Sequence, residues 1–171
     1  FDYLVIATHA DQALKLIDNP TNDEKKILSE FEYTVNRAYL HSDRSIMPKN
    51  KKTWSSWNFI KSKKEDINFT LTYWMNNLQK LKTKKEYFVT INPEKIPKTI
   101  HNEVSFTHPK FNLQTMKSQK KLKYLQGVNN TFFCGAYHGY GFHEDGIQSA
   151  AYIAKMLNVD IPWKRDNNFY N

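Results

Sequence analysis

The sequence predicts an α/β protein, with parallel strands and helices at both ends and an antiparallel β region between them. Three observations predict it. Tyr3-Leu4-Val5-Ile6-Ala7 is a continuous apolar run, the pattern of a strand buried on both faces of a parallel sheet. From Phe31 the periodicity changes to two: Phe31, Tyr33, Val35, Arg37, Tyr39 and His41 alternate with Glu32, Thr34, Asn36, Ala38 and Leu40. That alternation puts Tyr39 and His41 on the same face of one strand. Near the carboxyl end, the apolar run 131–134 passes through a glycine-spaced turn into a helix. This helix carries Ile147, Ala150, Ala151, Ala154 and Leu157 at spacings of three and four.

The remaining elements follow in chain order. Thr8-His9-Ala10 leads into a short helix at about 11–17, which Asn19-Pro20 closes. Thr21-Asn22-Asp23-Glu24 is a capping box, so a second helix is expected to reach about Ser29. Residues 53–59 and 67–75 read as antiparallel neighbours on either side of a lysine-rich turn. In the second of them Ile67, Phe69, Leu71, Tyr73 and Met75 alternate with Asn68, Thr70, Thr72 and Trp74. Two short strands follow at 87–91 and 103–107, ended by Asn92-Pro93 and His108-Pro109. A basic helix at about 115–126 stops at Gly127. The expected layout is one domain made of residues 1–30 and 128–171, interrupted by a mostly antiparallel domain over 31–127.

Composition narrows the function classes. In a chain of 171 residues, 40% hydrophobic and 15% aromatic content describes one folded core, not a disordered polymer. The net charge of +8 invites a nucleic-acid or anionic-membrane reading, as a basic binding module without catalysis. Yet the lysine clusters at 49–52, 61–64, 80–85 and 117–123 fall in loops and on helix exteriors, where charge runs describe a solvated face. No nucleic-acid partner is therefore expected, while the basic surface leaves room for peripheral membrane contact. The lone cysteine, Cys134, excludes an internal disulfide and sits in an apolar run, which fits a reducing cytoplasm. No apolar stretch approaches the roughly 18 residues that span a bilayer. His138 and His143 lie five apart in a turn and match no ligand spacing, so no metal site is expected. Trp54, Trp57, Tyr73 and Trp74 either line an apolar substrate channel or pack the sheet.

The glycine turn carries the chemistry. Four of the five glycines, at 135, 139, 141 and 146, lie in the thirteen residues Cys134 to Gly146. Asp145 is a good cap for the helix that follows, whose positive end then points into the turn. Strand, glycine turn and helix start together have the form of an anion or cofactor cradle.

Gly135-Ala136, then Gly141-Phe142-His143-Glu144-Asp145-Gly146 and a small-residue helix, resemble the carboxyl-terminal flavin-binding segment of the flavin-containing amine oxidase superfamily. Further stretches resemble a subgroup of predicted NAD/FAD-binding oxidoreductases that includes the amino-terminal region of plant cyclopropane fatty acid synthases. They are Ala7-Thr8-His9-Ala10-Asp11, Leu40-His41-Ser42-Asp43, Trp54-Ser55-Ser56-Trp57-Asn58, Tyr73-Trp74-Met75-Asn76-Asn77, Ile91-Asn92-Pro93 and His108-Pro109.

The resemblance implies a Rossmann-like FAD-binding domain interrupted by an antiparallel substrate domain, with FAD as cofactor. It implies hydride transfer to the flavin from a C–N or C–C bond of a small molecule or an acyl lipid. By the family pattern, backbone at Phe142, His143 and Glu144 approaches the pyrimidine end of the ring. Gly135, Ala136 and Tyr137 pass the ribityl or pyrophosphate portion, and Thr8 and Gly141 complete the wall. Asp145 stands where the family often has a small residue. His143 and His41 are the candidate catalytic residues. Because no G-x-G-x-x-G follows a strand, the chain is expected to be the carboxyl part of a longer flavoprotein. Its partner would be the amino-terminal half of the same polypeptide, and the fragment alone is expected to be inactive.

Overall fold

The computed structural model describes residues 1–61 and 70–163; the first residues of the strand expected over 67–75, with Lys63 and Lys64, lie outside them. The fold is mixed α+β. Its order is β1 (Leu4–Ile6), α1 (Ala10–Leu16), α2 (Asn22–Leu28), β2 (Tyr33–His41), β3 (Trp57–Ile60), β4 (Thr70–Trp74), α3 (Met75–Leu78), β5 (Phe88–Ile91), β6 (Ile100–Pro109), α4 (Leu113–Gln119), β7 (Thr131–Phe133) and α5 (His143–Met156). The chain divides into two compact units, residues 1–34 with those from 108 onward, and residues 35–107.

In the first unit β1 pairs in parallel with β7, Leu4 opposite Thr131 and Ile6 opposite Phe133. Ile6, Ala10, Ala13, Ile27, Leu28 and Phe133 meet in one buried cluster, so the apolar sides of β1, α1, α2 and β7 exclude water from one another. The capping box holds α2 at its start: Thr21 Oγ1 accepts from the Glu24 amide at 3.1 Å, and the Glu24 carboxylate accepts from the Thr21 amide at 2.7 Å.

Three elements differ from their sequence expectations. Of β1, only Ile6 is buried, while Leu4 and Val5 stay exposed, so the strand is not buried on both faces; in the described residues it belongs to a two-stranded pair. The basic helix ends at Gln119 and its continuation is a tight turn over Leu122–Tyr124; both belong to the first unit and not to the middle domain. Helix α5 starts at His143 and not at Asp145. Asp145 lies one turn inside, and its carboxylate reaches back to accept from the Tyr140 and Phe142 amides at 3.0 and 2.8 Å.

The second unit is a five-stranded antiparallel sheet in the order β3-β4-β5-β2-β6. Its register sets Asn58 opposite Thr72, Thr72 opposite Thr90, and Tyr39 opposite Thr90. One face thus carries a polar spine of Asn58, Thr72, Thr90 and His41, all buried. The opposite face carries Trp57, Phe59, Leu71, Tyr73, Val89 and Ile91, of which Trp57 and Phe59 are 63% and 66% exposed and the others half-buried. Directly after β4 the chain turns into α3, where Asn76 pins the following loop by donating to the Lys85 carbonyl and accepting from the Tyr87 amide.

Candidate functional site at the glycine turn

The parallel pair β1–β7 brings Thr8 and Gly135 together at its carboxyl end, the place where open α/β sheets hold their ligands. The contact is tight. A Cβ on Gly135 would stand 2.9 Å from the Thr8 carbonyl oxygen and 2.7 Å from the Tyr137 ring, so glycine is required there for close approach. The Gly135 amide donates to Ser149 Oγ at 2.9 Å, which fastens the strand exit to α5. At Gly139 a Cβ would overlap the Asp145 carboxylate. Gln119 Nε2 donates to the carbonyls of Tyr137 and Gly139 at 3.1 and 2.6 Å and closes the other side of the turn.

Gly135 and Gly139 therefore serve the protein's own packing. The expectation that they open backbone to a ligand is corrected at these two positions, because Thr8, Tyr137 and Asp145 already occupy the space that a missing Cβ leaves. What stays open is the run Tyr140, Gly141, Phe142, His143 and Glu144, every residue of which is exposed. It leads into the first turn of α5, where backbone N–H groups lack intrahelical acceptors and the helix dipole is positive. Asp145 turns onto the Tyr140 and Phe142 amides, so its carboxylate lies at this run and takes two of its donors.

Two polar atoms of the turn, the Tyr137 hydroxyl and His138 Nε2, are buried without a hydrogen-bond partner. Burial raises the Tyr137 pKa, with Cys134 and Tyr33 acting in the same direction, so the phenol stays protonated. Burial also pushes the His138 pKa down to about 4, against a smaller opposing pull from the Phe133 carbonyl, which leaves a neutral imidazole at physiological pH. The Cys134 thiol is raised by burial alone and is not an activated nucleophile.

The two candidate catalytic histidines part company. His143, first residue of α5, is exposed beside the open rim. His41 is fully buried in the second unit. Its Nδ1 accepts from the Asp43 amide at 3.1 Å, so Nε2 carries the proton and donates to Thr90 Oγ1 at 2.7 Å. Thr90 Oγ1 in turn lies 2.9 Å from Thr72 Oγ1. With both nitrogens engaged and no exposed surface, His41 has no face to offer a substrate, and its catalytic reading is corrected to that of a hydrogen-bonded core residue. Sequence reasoning missed Gln119 and Ser149 as the ties of the turn; a polar residue on the inner face of a helix is their one signal.

No family model matches the sequence, and no curated protein matches it. Among solved structures, the fold is similar to the crystal structure of a CLA-producing fatty acid isomerase from P. acnes, with a TM-score of 0.58 at 12% identity. The match covers 92% of this chain and 42% of that one, so the chain spans less than half the length of this neighbour. At such identity the likeness is one of fold. The neighbour is an enzyme, and it is a fatty acid isomerase. These findings overturn the resemblance to the flavin-containing amine oxidase superfamily and its predicted NAD/FAD-binding subgroup. The shared stretches are short, and at Gly135 and Gly139 internal packing alone accounts for the glycines.

Proposed function

We propose that this chain is the carboxyl-terminal part of a larger FAD-dependent enzyme that takes a hydride from a carbon–carbon bond of an acyl chain. The observation that carries the cofactor reading is the exposed amino end of α5, which follows the carboxyl end of a parallel strand pair. The residues present fit a group with a hydrogen-bond-accepting edge laid on the rim at 140–144. They do not fit one threaded past Gly135 or Gly139. Bound FAD would supply the hydride-accepting chemistry.

The chain's own groups then divide the work. Amides of His143 and Glu144 would donate to the accepting edge, and the positive end of α5 would stabilise negative charge there by about 0.3 to 1 kcal/mol if exposed, or up to about 2 if partly buried. Asp145 satisfies the Tyr140 and Phe142 amides and keeps its charge within the turn. The Tyr137 hydroxyl and His138 Nε2 are neutral and buried, so they add no charge to the turn. His143 stands at the rim, where it would hold or take a proton from substrate.

An acyl chain is favoured over an amine for two reasons. The neighbour of similar fold acts on a fatty acid. Within the second unit, the sheet face of Trp57, Leu71, Tyr73, Val89 and Ile91 is an apolar surface left partly open among the described residues, as a ligand groove would be. The exposed Leu4 and Val5 of β1 favour further strands from the rest of the polypeptide, completing a Rossmann-like sheet.

The test is to purify the natural full-length protein with FAD in excess and record its absorption. Flavin bands that stay with the protein and bleach anaerobically with a long-chain fatty acid are the expected result. A colourless protein that remains flavin-free after this treatment refutes the proposal.

A further inference from the structure

Away from the glycine turn, the second unit holds a box shaped around an ammonium group. Glu86 is nearly buried, and its carboxylate takes two cations, Lys51 Nζ at 2.6 Å on one oxygen and the Arg44 guanidinium on the other. Lys51 Nζ also stands 5.5 Å from the ring centres of both Trp54 and Trp74. The two indoles meet at 84°, their centres 5.4 Å apart, so they form adjoining walls.

Each wall is held by something other than Lys51. Trp54 Nε1 donates to the Pro48 carbonyl at 2.7 Å, and its ring packs edge-on against the fully buried Phe88. Trp74 lies opposite Phe88 in the β4–β5 register and donates its backbone amide to the Ser56 carbonyl. Glu86 is ion-paired with Arg44, and its Oε2 makes no hydrogen bond. Lys51 itself enters from a short turn at Lys51–Thr53, and its side chain is 58% exposed. The walls have contacts of their own, and the occupant is a side chain with access to solvent.

We infer that Trp54, Trp74 and Glu86 form a binding site for a primary alkylammonium ligand, which Lys51 fills as a tethered occupant. Two indole faces attract a cation through their quadrupoles. The carboxylate oxygen at hydrogen-bond distance selects a cation that carries N–H, because a quaternary ammonium forfeits that charge-assisted bond. Arg44 occupies the second oxygen and leaves the first for the ligand. A tethered competitor acts at an effective concentration on the order of millimolar, so an external amine enters only as Lys51 swings out. The inference uses none of the residues assigned to the flavin reading and stands or falls separately from it.

The experiment titrates the full chain with n-butylammonium, following tryptophan fluorescence and melting temperature together. Lys51→Ala should bind saturably and at least about tenfold tighter than the unsubstituted protein, a gap of about 1.4 kcal/mol. Lys51→Arg, which keeps the box filled, should show no such gain. Tetramethylammonium should bind Lys51→Ala at least about tenfold more weakly than butylammonium, since it cannot donate to Glu86. If Lys51→Ala is destabilised, butylammonium should raise its melting temperature back toward that of the unsubstituted protein. Absence of both a saturable signal and a melting shift in Lys51→Ala overturns the assignment, as does equal binding of the two cations.

Discussion

Acid should loosen the first unit through His138, in a pH window that it shares with His41 of the other unit. Its folded-state pKa is pushed down from 6.5 to about 4, so the unfolded chain binds this proton more readily than the folded one. The stability tied to the neutral ring is fully present above about pH 6.5 and is lost as pH falls toward 4. Linkage between these two values gives a loss of about 2 kcal/mol by pH 5 and about 3 by pH 4, upper figures because the ring keeps some contact with solvent. Asp43 does not confuse the window. Burial acts upward on its pKa, but the Lys98 and Ser45 amides prevail and hold it below 3.8, so its contribution is lost only at lower pH. His41 is also lowered by burial, and it titrates in the same direction in the other unit. The assay is urea denaturation at several values between about pH 7.5 and 4.5, for the unsubstituted chain and for His138→Gln. The substitution should remove about 2 kcal/mol of the pH dependence by pH 5 while leaving the His41 share in place. Parallel stability curves for the two proteins across that range would refute the account of a buried neutral imidazole.

Four further outcomes follow from the same geometry. Thr90→Val keeps the shape of the core but strands the His41 Nε2 proton and the Thr72 hydroxyl, so it should cost about 1 to 3 kcal/mol in urea denaturation. Asp145→Ala releases the Tyr140 and Phe142 amides and should cost about 0.5 to 2 kcal/mol, with faster amide hydrogen exchange confined to the turn and the start of α5. Trp57→Ser with Phe59→Ser alters exposed positions and should leave the urea midpoint within about 0.5 kcal/mol per site, while weakening fatty-acid binding by the full-length protein in a fluorescence titration. His143→Asn, at an exposed helix start, should leave stability unchanged and, on the proposed function, lower kcat by about 10² to 10⁴ if the side chain moves a proton.

Much of the fold was legible because it rests on local patterns. The Thr21–Glu24 box needs four consecutive residues and forms as its spacing demands. The alternation along β2 puts Tyr39 and His41 on one face, and both are buried there. Partnership at long range was not legible. His41 meets Thr90 only because β2 and β5 pair in a register that sets Tyr39 opposite Thr90, and nothing within several residues of either position announces it. The reach of Asp145 is intermediate. A carboxylate near a helix start signals a cap, but whether it acts from the cap position or from one turn inside depends on where the backbone leaves the glycine turn.

A period of two names the faces of a strand without saying which is inside. In β4 the buried set is Thr70 and Thr72, and the half-open set is Leu71 and Tyr73. Hydrophobicity alone would choose the reverse. The threonines tolerate burial because each hydroxyl has a partner: Thr72 bonds to Thr90, and Thr70 donates to the Asn92 carbonyl at 3.0 Å. His41 and the Asn58 side chain, which donates to the Thr72 carbonyl, extend the same satisfied network across the sheet. A polar interior of this kind contributes little net stability beyond its packing, yet any single truncation leaves a costly orphan. The large apolar side chains it displaces are the ones that a sheet would ordinarily use for its own core. Their placement on the more exposed face is, within the second unit, the physical reason for the proposed acyl ligand, because Trp57 remains largely exposed there.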